Sequence, residues 1–216
     1  MADLIMEGDS TFNDPKTITD LAVLASLARE GLLGGPLDIY VGEPSEALTR
    51  VELNRMLGST RWNEKGDRFI RIARRANGAL FCLWLYPGLR GRPPVVFFGG
   101  DGELHLVSAN TTDFLHQLSS GYLYWRGHWI VPTDGDAVGF DWQALQVAVN
   151  ERLGVDRSDP NVLTTKAERR SPAFRAWAVA RRLKVRREAE GDGTKKSQLL
   201  IALTKFVGGT TIRFRQ

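Results

Sequence analysis

PPVVFFGGDGELHLVSANTTDFLHQL, residues 93–118, is the stretch whose reading decides the fold. Its centre, Gly99-Gly100-Asp101-Gly102, could cradle a phosphate or a metal, or could simply turn the chain back on itself. A phosphate loop needs glycine amides aimed at the ligand and a helix N-terminus directly behind them. Here the glycines lead into Glu103 and the alternating run ELHLV, so no helix dipole faces them. A Ca²⁺ loop needs several oxygen ligands at fixed spacing, and only Asp101 and Glu103 are near. The segment therefore reads as strand, hairpin turn with glycine at positive φ, and strand. Asn110 or Thr111 then caps a helix over 112–118 that turns Phe114, Leu115 and Leu118 inward.

Working outward, DRFIRIARR alternates apolar and basic residues except at Ile70, and Asn77-Gly78 follows as a type I′ turn dipeptide. ALFCLWLY is the return strand, apolar throughout and so covered on both faces. Upstream, Asp14 and Pro15 start a helix whose core face reads Ile18, Leu21, Leu24 or Ala25, and Ala28. LDIYV (37–41) alternates as a strand, and a second helix spans 45–57. Downstream, GYLYWRGHWIVP is densely aromatic, a helix spans 141–153, and RSDPN (157–161) reads as a linker. The expected fold is α+β: a bent, largely antiparallel sheet with flanking helices, followed by a basic helical C-terminal extension.

Charge divides the chain in the same place. Residues 1–154 carry 14 Lys and Arg against 19 Asp and Glu, a net of −5; residues 155–216 carry 15 against 6, a net of +9. The expected domains are thus 1–154 and a basic extension over 155–216, whose helix over 172–188 shows an apolar stripe of Ala176, Val179, Ala180 and Leu183. Arg181, Arg182, Lys184, Arg186 and Arg187 on that helix could neutralise phosphates of a nucleic acid, or the helix could dock on the acidic body or stay solvated.

Other chemistry is thinly represented. GDGTKKS (191–197) has Lys195 where a Walker A loop needs glycine, and no strand precedes it. Asp113 and His116, three apart on a helix, could chelate a metal, but no second pair completes a set of about four ligands. Cys82 is the single cysteine, so no disulfide framework exists and a reducing, cytoplasmic setting is expected. It lies mid-strand between Phe81 and Leu83, where a buried structural thiol is the usual outcome. The N-terminus lacks the pattern of a secretory signal, and the longest apolar run is eight residues against the roughly 20 of a membrane span. No catalytic residue, cofactor or metal site is expected.

The order Trp84, Pro94–Val96, Gly102–Glu103, Val107–Ser108 and Asp113–Leu115 resembles the core of the SUKH superfamily, the Smi/Knr-like immunity domains of bacterial polymorphic toxin systems. The likeness runs over residues 60–121 and leaves the basic tail outside. It implies an α+β fold with a bent sheet, no catalytic residues, and a role in binding a cognate toxin, often a nuclease. On that expectation Trp125, Trp129, Asp101 and Glu103 present aromatic and acidic groups to the partner. The alternative is a nucleic-acid-associated protein working through the basic cluster over 181–187.

Overall fold

The computed structural model describes residues 14–42, 47–57, 66–100, 102–133, 135, 139–170 and 173–180. The chain separates into two compact units, Met1–Val185 and Arg186–Gln216, and every described residue lies in the first. Within it the elements run α1 (Pro15–Arg29), β1 (Ile39–Tyr40), α2 (Arg50–Leu57), β2 (Arg68–Arg75), β3 (Leu80–Leu85), β4 (Val95–Phe98), β5 (Leu104–Ser108), α3 (Thr111–Leu118), β6 (Leu123–Trp125), β7 (His128–Ile130), α4 (Trp142–Leu153), α5 (Pro160–Glu168) and α6 (Phe174–Ala180).

Strands β1 to β5 form one antiparallel sheet in sequence order, so the α+β reading holds. The opening stretch folds as the pattern dictates. Phe98 pairs with Leu104, the Gly99 N–H donates to the Glu103 carbonyl at 2.8 Å, and Gly102 has φ 79°. The Asn110 side chain caps α3 by accepting from the Asp113 N–H at 2.9 Å.

Because β3 is central, its side chains alternate between two cores. Phe81, Leu83 and Leu85 join Val95, Phe97 and Val107 on one face, under α1, α3, α4 and the β6–β7 hairpin. Cys82 and Trp84 join Phe69, Val96, Phe98, Leu104 and Leu106 on the other, under α2 and α6. A bulge between Arg71 and Ala73 lets Ile72 and Ala73 both enter the first core, whereas the break at Ile70 arises because Phe69 and Ile70 face opposite cores of a strand covered on both sides.

Several local expectations need correcting. The Asn77-Gly78 turn is not type I′: Gly78 has φ 83°, whereas Asn77 is not among the positive-φ residues. Ala76, Asn77 and Gly78 form a three-residue loop instead, closed by the Arg75 N–H to the Ala79 carbonyl at 2.8 Å. In α1 the buried face is Thr17, Asp20, Leu21, Leu24 and Leu27, and Ile18 is exposed. That face is rotated because Asp20 is drawn into a buried cluster with Arg92, Thr111 and Thr112. The second helix begins at Arg50, where Thr49 and Glu52 close a reciprocal capping box.

The largest revision follows residue 157. RSDPN is a helix start, since Asp159 caps α5 through the Asn161 N–H and Pro160 sits in the first turn. Helix α5 then guards the sheet's edge strand: Thr164 Oγ1 and Gln117 Nε2 both donate to the Val107 carbonyl, at 2.8 and 3.0 Å. The helix expected over 172–188 is seen as α6, and it buries Phe174, Trp177 and Ala178 while exposing Ala176, Val179 and Ala180. Its described part is docked on the sheet. The remainder, with the cluster over 181–187, lies outside the described residues.

Asp14 supplies a pH test of the first cap. Its carboxyl accepts from the Thr17 hydroxyl and N–H, at 2.8 and 2.7 Å, and those bonds, with the charge of Arg92, hold its pKa below the ordinary 3.8. A depressed pKa contributes stability above 3.8 that fades as pH falls through the folded value. Asp14→Ala is therefore expected to cost about 0.5–2 kcal/mol at pH 7 in urea unfolding. The gap between variant and parent should narrow below the ordinary carboxylate range. A gap unchanged down to strongly acidic pH contradicts the cap's charge dependence.

Candidate functional site

The aromatic stretch after α3 forms a second, two-stranded sheet, with Leu123 opposite Ile130, Tyr124 opposite Trp129 and Trp125 opposite His128. The two residues between the strands supply the type I′ geometry: Arg126 has φ 47° and Gly127 φ 91°. Gly127 is required for a second reason, because a Cβ there would lie 2.9 Å from the His105 ring. The turn thus rests on β5.

Alternation does the rest. Tyr124 and Trp129 point into the first core, their rings 5.2 Å apart and edge-on, with Tyr124 reaching Phe97 at 5.0 Å and Phe81 at 5.9 Å. Both edges of the hairpin are held by side chains. The Trp129 N–H donates to Asn161 Oδ1 at 2.9 Å, and Asn161 Nδ2 donates back to the Trp129 carbonyl at 2.8 Å. On the other strand, Arg75 Nη1 donates to the Tyr124 carbonyl at 3.0 Å. In a two-residue hairpin the second pair from the turn directs its backbone groups outward, so these are the groups a third strand would seek. Side chains already occupy them at Trp129 and at the Tyr124 carbonyl.

What remains available is the outward face. Trp125 is 53% exposed and Ile130 42%, with the Arg126 guanidinium 5.5 Å from the Trp125 ring. Such a face offers aromatic and aliphatic area with a cation at its tip, the composition of protein-contact hot spots.

Of the residues expected to meet a partner, Trp125 lies on this face. Trp129 does not: it is 2% exposed, packed against Tyr124, and belongs to the core. Period-2 alternation in a paired strand forces the two tryptophans to opposite sides. Glu103 is half-buried in the turn before β5, where its carbonyl accepts from the Gly99 N–H and its side chain lies against Gly99. Asp101 lies outside the described residues, as do Arg181, Arg182, Lys184, Arg186 and Arg187. Ile130 was missed by the sequence reading; the signal was its place in the alternation once the turn is set at Arg126-Gly127.

Elsewhere, Cys82 is fully buried, and burial pushes its thiol pKa well up, away from nucleophilic use. Among the described residues no three His, Cys, Asp or Glu side chains converge as metal ligands would, and no helix is long and apolar enough to cross a membrane. Comparison with family models, with curated proteins and with solved structures finds no match for this chain.

Proposed function

We propose that this chain is a non-enzymatic protein-binding module of the SUKH kind, acting as an immunity protein that covers the working site of a cognate toxin. The observation that carries the reading is the outward face of the β6–β7 hairpin. It holds Trp125 and Ile130 exposed on a hairpin that is fixed in place by Asn161, Arg75 and the buried Tyr124–Trp129 pair. A rigid aromatic face loses little conformational entropy on binding, which favours occlusion by surface contact. Acidic residues dominate only up to residue 154; through Ala180 the body carries 19 Lys and Arg against 22 Asp and Glu, so the contact rests on the hairpin face and not on net charge.

The test is co-expression with the product of the neighbouring gene, followed by affinity measurement. Trp125→Ala is expected to weaken the complex by at least 2 kcal/mol, about thirtyfold, while leaving the fold intact. Undiminished affinity in that variant removes the hairpin from the interface. Equal killing by the neighbouring toxin candidate with and without this protein removes the immunity role.

A further inference from the structure

A groove of about 490 Å³ opens at the foot of the hairpin, where α4, α5 and the loop between them meet the residues leading into β6. Its wall includes Tyr122, Gln146, Asn150, Asp156, Arg157 and Asp159. Gln146 and Asn150 stand one turn apart on α4, so their amides share a face. The wall also carries Asp156 and Asp159, whose carboxylates accept from the backbone N–H groups of Ser158 and of Asn161 and Val162, and the exposed Arg157.

Asp156 is the anchor of this wall. The Ser158 N–H donates to Asp156 Oδ1 at 2.8 Å, and the Ser158 bonds, with smaller contributions from His116 and Lys166, hold the carboxyl below its ordinary pKa. It is therefore ionised at neutral pH. His116 of α3, close enough to act on Asp156, is 9% exposed and has no hydrogen-bond partner at Nδ1.

The groove adjoins the contact face. Tyr122 lines it and is the residue before β6; Pro160 lines it and is the residue before Asn161, which holds β7. Interfaces combine an apolar centre with a polar rim, and here the polar groove borders the apolar hairpin.

We propose that this groove receives an arginine side chain of the partner protein, the guanidinium pairing with Asp156 and lying against the Tyr122 ring while the α4 amides accept its remaining N–H groups. This rests on the reading of the hairpin as a contact face, and it names the chemistry the partner must show beside its apolar patch. A planar cation with five donors suits a wall of carboxylate, amide oxygen and aromatic face better than a lysine does.

The experiment titrates the full chain with acetyl-arginine-amide, acetyl-lysine-amide and acetyl-glutamate-amide, followed by amide NMR shifts. The arginine probe is expected to shift Tyr122, Asn150 and Asp156 at about millimolar concentration, more strongly than lysine, with glutamate silent. Asp156→Asn keeps the oxygen that accepts from Ser158 and removes the charge; Gln146→Lys places a cation at an exposed helix position. Each is expected to weaken the arginine probe about tenfold, the equivalent of one charge-assisted hydrogen bond. Shifts of equal size with the glutamate probe, no shifts with arginine, or arginine shifts indifferent to both substitutions overturn the proposal. Trp125→Ala separates the two readings: it should leave the arginine probe untouched while weakening the protein complex. If the probe binds but the complex ignores Trp125, the hairpin reading fails and the groove stands.

Discussion

Asp67→Ala is expected to destabilise the protein by about 2–6 kcal/mol, although the residue sits outside every regular element. Asp67 is 3% exposed, and its Oδ1 accepts from two indoles, Trp84 Nε1 at 3.1 Å and Trp177 Nε1 at 3.0 Å. One indole belongs to the central strand β3 and the other to α6, so a single oxygen ties the helix to the sheet. Truncation leaves both donors buried without an acceptor, at about 1–3 kcal/mol each. Asp67→Asn keeps a carbonyl oxygen and should cost less than half as much. Trp177→Phe removes one donor but keeps a ring against Phe174 and Trp84, which lie 5.3 and 4.9 Å from the Trp177 ring. It should fall between the two. Urea unfolding reads all three; equal losses for alanine and asparagine, or a loss under about 1 kcal/mol for alanine, would reject the double-acceptor account.

That tie also shows why the end of the body was hard to read from sequence. Composition changes at about residue 155, and a count of Lys and Arg makes everything beyond it look like a separate basic arm. Yet Ala167, Phe174, Trp177 and Ala178 complete the second core. Phe174, Trp177 and Ala178 stand at spacings of three and four, but Ala176, Val179 and Ala180 offered a competing stripe. Only the partner surface, Trp84 and Asp67, decides between them. A truncation meant to remove the basic tail must therefore begin after Ala180, because cutting at 160 would also strip the sheet.

The central meander was far more legible, because its signals are local. Alternation, a glycine-rich turn and an Asn cap each act within a few residues, and together they fix β4, β5 and α3. The contact face was half legible. The aromatic run announced itself, but which residues face outward depends on where the chain turns. Asn77-Gly78 carried the familiar turn pair, while the type I′ turn formed at Arg126-Gly127. There, close packing of the Gly127 backbone on His105 accompanies a left-handed Arg126. Such tertiary contacts leave no trace in the spacing of residues.

Trp129 and Trp125 should consequently give opposite results on the same hairpin. Trp129→Ala empties the middle of the first core, where the side chain packs on Tyr124 beside a small cavity lined by Leu37, Ile39 and Leu118. The expected loss is about 3–5 kcal/mol. Any partner binding would fall with it, because the hairpin that carries Trp125 loses its inner anchor. Trp129→Phe should behave differently. The Trp129 Nε1 is buried with no hydrogen-bond partner, so exchanging indole for phenyl gives up area while removing an unpaired donor. These effects oppose each other, and a net change under about 1.5 kcal/mol is expected, with binding retained. Trp125→Ala should leave stability within about 0.5 kcal/mol, since half of its surface already meets water, while binding weakens about thirtyfold or more. Thermal unfolding and affinity measured on the three variants give the pattern directly. If Trp129→Phe abolishes binding at unchanged stability, the inward tryptophan touches the partner after all, and the assignment of faces on the hairpin is wrong.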